Sequence, residues 1–335
     1  MRTTISKQNI IFALYKYLLL FFVVMVLPVN GWAQKYAEET EKSRVAAHRN
    51  SPGYNIQPGE HKCKVDGKRK YLLYIPKTYN SSRPAPLVLF FHGGGGHMEQ
   101  AASDYGWEDK AEKEGFILAF PNGSSRLPRK HLATWNAGEC CGYARDKNID
   151  DIGFVKQVIA DIKRQTNIDG TKIFATGMSN GGMMAHRLAC EMSDTFRAIA
   201  SVAGTDNTKA CNPSRPISVM HIHALNDTHV LFNGGAGKDA FKDESKVTDF
   251  TSVAETINRW IARDKAEKKP EKILDVPGAY ADLYTSRHNN AQIELVVTEK
   301  GGHSWPGGKT VRGKTPSQSI NATDLIWDFF MRQAR

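Results

Sequence analysis

Beyond residue 33 this 335-residue chain contains no apolar run long enough to span a bilayer. Cysteine is scarce: Cys63, Cys140, Cys141, Cys190 and Cys211 are the whole set. No spaced Cys/His pairs accompany them, so a zinc site is not expected. None stands near residues 28–33, which argues against a lipid-anchored N-terminus. Five cysteines allow at most two disulfides and leave one thiol over. A bond between neighbours needs a strained peptide, so Cys140 and Cys141 are expected to be stapled elsewhere rather than to each other. No internal repeat and no second folded domain is visible. The formal charge is +10, but Lys-rich stretches such as 265–272 interleave Lys with Glu, the pattern of a solvated helix end or loop. No nucleic-acid partner is implied; at most a weak attraction to acidic polysaccharide follows.

What is present begins with an N-terminal signal. Arg2 and Lys7 precede an apolar stretch from about Ile10 to Leu27, and small residues follow at Gly31 and Ala33. A cleavable secretory signal peptide over residues 1–33 is expected, with an uncleaved anchor as the competing reading. The segment carries Arg2, Lys7 and Lys16 and no acid, so its removal takes the formal charge to about +7. The product is expected to be secreted or periplasmic, monomeric and without a stable membrane anchor. Residues 34–60 are polar and pattern-poor and read as a flexible arm. Residues 61–335 suffice for one large α/β domain with a full core.

Strand and helix patterns alternate through that domain. Lys70–Pro76 reads as a first strand. Pro86–Phe91 and Phe116–Pro121 are continuous apolar runs, as for strands buried on both faces of a parallel sheet. Met98–Lys113 reads as one helix. A long loop spans Asn122–Asn148, a length that marks function when ordered. Asp150 and Asp151 start a helix, both as caps, with Phe154, Val155, Val158, Ile159 and Ile162 at helical spacing. Strands follow at about Thr171–Thr176, Ala198–Gly204, Ile217–His223 and Gln292–Val297, with helices at Phe250–Ala266 and Ser319–Gln333. The order implies a doubly wound, mostly parallel sheet with helices on both faces.

Between one strand and the next helix stands Gly177-Met178-Ser179-Asn180-Gly181. Gly-x-Ser-x-Gly in that setting is a nucleophile elbow: a strained turn lifts the serine hydroxyl clear of the sheet, and glycines flank it because larger side chains would collide. Ligand and catalytic groups in this architecture lie at the carboxyl ends of strands, in the order serine, acid, histidine. Asp227 follows the strand ending at His223, with Asp206 as rival acid. His303 follows the last strand in a glycine-rich loop. His221, His223 and His229 crowd the acid and are expected to pack or hydrogen-bond rather than act as the base. A serine hydroxyl needs such a base to remove its proton, and an acid to fix the imidazole tautomer. The oxyanion needs preorganised donors: the backbone N–H of Asn180, and one from His92-Gly93-Gly94-Gly95-Gly96, with Gly94 ahead of Gly95. His92 is expected to brace that loop. Trp135 and Trp305 lie in loops at the same edge and are candidate substrate platforms.

These segments resemble the polyhydroxybutyrate depolymerase-like and feruloyl esterase group, which overlaps carbohydrate esterase family one. The resemblance rests on the His92–Gly96 loop, Trp135-Asn136-Ala137-Gly138 with Cys140-Cys141-Gly142, Asp150-Asp151-Ile152-Gly153-Phe154, the Ser179 elbow, and Gly302-His303-Ser304-Trp305-Pro306-Gly307-Gly308. It covers about Lys62 to Phe330. It implies an α/β-hydrolase fold and an exported serine esterase with catalytic Ser179, Asp227 and His303, needing no cofactor and no metal. The expected substrates are feruloyl or acetyl esters on plant xylan, as polysaccharide or oligosaccharide, with a polyester (polyhydroxybutyrate) as the alternative. A serine peptidase and an inactive carbohydrate-binding protein are the remaining readings. One departure stands out. The group's acid loop often reads His-Gly-x-x-Asp, whereas Ala224 follows His223 here; this is tolerable unless a positive φ is needed.

Overall fold

The computed structural model describes residues 56–127, 132–240, 249–310 and 315–334. The expected signal peptide and nearly all of the arm lie outside the described residues. Among the described residues no helix is long and apolar enough to cross a membrane.

Ten strands form one sheet: β1 (Gly59–Val65), β2 (Arg69–Ile75), β3 (Ala85–Phe91), β4 (Ile117–Pro121), β5 (Ile168–Met178), β6 (Ala198–Val202), β7 (Ser218–Ala224), β8 (Glu271–Val276), β9 (Ala279–Thr285) and β10 (Gln292–Thr298). Their order is β1-β2-β4-β3-β5-β6-β7-β10-β9-β8. The six strands from β4 to β10 run parallel, and antiparallel pairs close both edges. Among the described residues the seven helices are α1 (Met98–Asp104), α2 (Trp107–Glu114), α3 (Gly142–Asp146), α4 (Asp151–Gln165), α5 (Asn180–Glu191), α6 (Val253–Arg263) and α7 (Ala322–Gln333).

The period-2 alternation of strand side chains builds two cores. Leu87, Leu89 and Phe91 point to one face, where they pack with apolar residues of α4, α5 and α6. Val88 and Phe90 point to the other, with residues of α1, α2 and α7. The expected doubly wound sheet with helices on both faces is what the chain forms.

Local expectations are corrected at several points. The segment read as a single helix from Met98 is two, because Gly106 takes a left-handed conformation (φ 69°) between α1 and α2. Three strands lacked a legible pattern. β1 alternates exposed and half-buried residues at the sheet edge, and begins within the expected arm. β8 is almost wholly exposed, and joins β9 through a turn at Gly278 (φ 82°). Asp150 does cap α4, accepting the N–H of Gly153 at 2.7 Å, but Asp151 does not. Its buried carboxylate instead pairs with Arg69 at 2.7 Å and accepts the backbone N–H of Asn136 at 2.7 Å.

Two bridges with one thiol over agree with the sequence reading, but the expectation that Cys140 and Cys141 are not bonded to each other fails. Cys140 bonds to Cys141, Cys190 bonds to Cys211, and Cys63 is the free thiol. The reason is position. Backbone hydrogen bonds from Cys141 to Trp135 and from Ala137 to Cys140 draw the adjacent pair into the core. Cys63 sits far off on the edge strand β1, and Cys190 is taken by Cys211.

Candidate active site

The elbow is built as its glycines require. Ser179 sits between β5 and α5 with φ 56° and ψ −124°, a conformation that residues with a side chain rarely adopt. Its N–H donates to Val202 O at 2.7 Å, which ties the turn to β6. A Cβ on Gly177 or Gly181 would collide with the Phe91 carbonyl of β3, and one on Gly204 with the carbonyl of Ser179. The neighbouring strand therefore forces the residue choice.

The loop after β3 lies against this turn: a Cβ on Gly93 would be 3.6 Å from that of Ser179, and one on Gly94 3.6 Å from that of Asn180. His92 braces it as expected. The ring Nδ1 donates to Gly93 O at 2.8 Å, and Nε2 accepts the Gly123 N–H at 3.0 Å. Burial holds the His92 pKa down at about 4, so it is neutral at physiological pH. Gly95 N–H is engaged by Ala133 O at 2.8 Å, and Gly96 N–H by Gly93 O at 3.0 Å. Of the two candidate donors, Gly94 is the one whose N–H has no protein acceptor among the described residues.

Asn180 serves through its side chain as well. Its carboxamide oxygen accepts Trp135 N–H at 2.7 Å, and its nitrogen donates to Trp135 O at 3.0 Å. The first turn of α5 is thereby fastened to the long loop. Trp135 is consequently not a platform. It is fully buried beneath the loop, and its indole N–H donates to His92 O at 2.9 Å. Trp305 is 4% exposed and hydrogen-bonds Thr323, but it does border the cavity. The tryptophans looked exposed because they occur in loops; packing of the loops buried them.

Asp227 closes the far side. Its Oδ1 accepts the N–H groups of His229 at 2.8 Å and Val230 at 3.0 Å. Its Oδ2 accepts Nδ1–H of His303 at 2.8 Å. Burial alone would raise this carboxyl's pKa; hydrogen bonds from His223 and His303 outweigh it and hold it far below the usual range. An ionised carboxylate only accepts, so Nδ1 of His303 carries a proton and its Nε2 is left to face the cavity. The His229 ring stacks on that of His303, centroids 4.5 Å apart and planes 10° apart. The 303 loop is pinned by Gly302 N–H to Asn226 Oδ1 at 2.9 Å. The rival acid, Asp206, is fully buried in an ion pair with Arg263 at 2.6 Å and does not meet His303. Ala224 has no positive φ; it ends β7 in register with Thr298, so the missing glycine costs nothing there.

A cavity of about 540 Å³ opens over these groups. Ser179, Asn180, His303 and the 92–96 loop line it, and Met183 and Phe250 contribute apolar wall. Among the described residues, one group brings three metal-ligating atoms within 4.8 Å of one another: Asp227, His229 and His303. Two of the three, Asp227 and His303, are already joined by a hydrogen bond.

A serine at a strained strand-to-helix turn, with an Asp–His pair beside it at the carboxyl edge of a mostly parallel sheet, defines a serine hydrolase of the α/β-hydrolase class. The same fold occurs in the acetyl xylan esterase of Aspergillus awamori (TM-score 0.55, 15% identity, 81% of this chain and 99% of that one). The chain belongs to the esterase PHB depolymerase family, whose model matches residues 69–245. It is 30% identical over 297 residues to a protein described as "Probable feruloyl esterase C" from Aspergillus niger, covering 84% of this chain and 91% of that protein. It is 26% identical over 247 residues to feruloyl esterase B of Piromyces equi, covering 72% of this chain. The chain spans only 44% of that relative's length. The chain is a hydrolase of carboxylic ester bonds.

Proposed function

We propose that this protein is an exported serine esterase that cleaves feruloyl or acetyl esters on plant polysaccharide through an acyl-enzyme. The observation that carries the reading is that His303, hydrogen-bonded from behind by the buried Asp227, lines the same cavity as the strained Ser179.

The steps follow from the groups present. His303 Nε2 accepts the Ser179 proton as Oγ attacks the ester carbonyl carbon. The carbonyl oxygen becomes an oxyanion and is met by the N–H groups of Asn180 and Gly94. Asp227 stabilises the imidazolium, which returns its proton to the leaving alcohol oxygen as the ester bond breaks. Water then attacks the acyl-serine by the same route and releases the acid. The relatives' names, feruloyl esterase and acetyl xylan esterase, support the substrate class. The apolar wall around Met183 and Phe250 suits an acyl group. Of the two candidate tryptophans, Trp305 is the one that borders the cavity and can contact the acyl ring or a sugar. Export is supported by the charged-then-apolar pattern of residues 1–33, and is tested by N-terminal sequencing of the recovered protein.

Ser179→Ala should abolish turnover of methyl ferulate and p-nitrophenyl acetate; retained turnover overturns the assignment. Wild-type enzyme compared on methyl ferulate, acetylated xylan and polyhydroxybutyrate tests the substrate class. Preference for the polyester would replace the polysaccharide reading with depolymerisation, which the family's name also covers.

A further inference from the structure

β7 carries His221 and His223 on one face, both buried. The contacts of His223 place a proton on its ring, while Nδ1 of His221 has no partner among the described residues. His223 Nε2 lies 2.9 Å from Val230 O and 3.4 Å from Asp227 Oδ2. A carbonyl and a carboxylate can only accept, so Nε2 carries the proton. In the neutral ring Nδ1 of His223 is a lone pair, placed to accept Nε2–H of His221 at 3.1 Å. The two rings stack 17° from parallel with centroids 5.3 Å apart. Behind them His186 on α5 accepts the indole N–H of Trp260 on α6 at 3.0 Å, and its ring lies 5.7 Å from that of His221. Burial keeps His186 and His221 neutral, which preserves this single-proton pattern. The chain of rings runs from the packed face of the sheet to the back of Asp227, and none of the three histidines lines the cavity.

We infer that His223 is a positioning residue: its one N–H clamps the 227–230 turn through Val230 O and Asp227 Oδ2, so that Asp227 presents its carboxylate to His303 in a single orientation. It acts through Asp227 and touches neither Ser179 nor the cavity. The inference rests on Asp227 serving as the acid of the proposed triad. His221 sets the other side of the same ring, because its donor fills the only remaining lone pair of His223.

The test compares His223→Gln with His223→Asn. Gln carries its amide nitrogen out to about where Nε2 stands, whereas Asn stops near Nδ1. Turnover of p-nitrophenyl acetate is counted per active site titrated with a fluorophosphonate, so misfolded protein does not enter. His223→Gln should keep kcat within about threefold of wild type. His223→Asn should lose about tenfold or more in kcat, with KM unchanged. In an Asp227→Asn background, His223→Asn should cost nothing further, since its effect passes through the lost carboxylate. Equal kcat in the Gln and Asn variants, a loss carried by KM, or additive losses in the double variant would each overturn the inference. Wild-type turnover in Asp227→Asn alone is a separate result, and would instead sink the triad assignment.

Discussion

Replacing Asp227 with Asn removes one charge and turns an acceptor into a donor at the most heavily contacted carboxylate of the site. The carboxylate takes N–H groups from His229 and Val230 on Oδ1, and from His303 on Oδ2, with His223 Nε2 3.4 Å from Oδ2. Asn can keep the first pair on its carbonyl oxygen. Its NH2 then faces Nδ1 of His303. His223 cannot turn to relieve the crowding, because Val230 O and His221 hold both of its nitrogens. His303 must therefore move its proton to Nε2, the nitrogen that has to receive the Ser179 proton. The imidazolium also loses its counter-charge. At about 4 Å and an effective dielectric of 20 that attraction is worth about 4 kcal/mol. A barrier higher by about 4 kcal/mol is about a thousandfold in rate, and the wrong tautomer adds to it. Turnover of p-nitrophenyl acetate at neutral pH should fall by about 10³–10⁴. The melting temperature should drop by no more than about 8 °C, since the backbone contacts survive. A folded variant that keeps kcat within about tenfold of wild type would refute the relay.

Two further outcomes test the structure around the site. Trp135→Phe leaves His92 O without its donor and should cost about 1–2 kcal/mol in chemical denaturation. The ratio of KM for methyl ferulate to KM for p-nitrophenyl acetate should not change; a changed ratio would restore Trp135 as a substrate platform. Asp264 caps the end of α6 with Oδ1 accepting Ile217 N–H, while Oδ2 has no partner among the described residues. Burial pushes its pKa up to about 7, against the Ile217 N–H and the Arg263 charge. An unfolded Asp titrates near about 3.9, so the folded protein binds the proton more tightly. That contribution to stability is present below about pH 4 and is lost as pH rises to about 7. Asp264→Asn should therefore stabilise the protein by roughly 1–3 kcal/mol at pH 8 and by little at pH 4, as read from urea midpoints. No gain at pH 8 would contradict the buried charge.

Much of the fold was legible where burial is two-sided. Leu87–Phe91 and Ile117–Phe120 are apolar throughout because both faces of the strand meet helices. Edge strands were harder to see. β8 exposes nearly every side chain and β1 alternates only weakly, so neither carries an apolar period that separates it from a loop. The break between α1 and α2 turns on one glycine whose φ is positive; glycine tolerates a helix interior often enough that its presence alone does not announce a stop. Within the site, the order of Ser179, Asp227 and His303 along the chain is a local pattern that recurs at strand ends. The support given by Arg69 to Asp151 has no such signal, because the two lie on different elements far apart in the chain, whereas His223 stands only four residues before Asp227 and its role as a neighbour of the acid was open to a local reading.

Residues within five positions of one another determined the elbow: Gly177, Ser179 and Gly181 specify a turn whose geometry depends on the absence of Cβ atoms near Phe91. The amino-acid order likewise determined the strand–helix alternation, because backbone propensity and side-chain period are local properties. Only the tertiary structure decided that Asp227 rather than Asp206 faces His303, that Gly94 rather than Gly95 keeps its N–H open, that Cys140 bonds its neighbour, and that Trp135 is a buried strut. Each of those outcomes depends on which distant segments converge and which hydrogen-bond partners they leave unoccupied. Convergence is set by packing of the whole sheet and its two helical layers, and no short stretch of sequence encodes it.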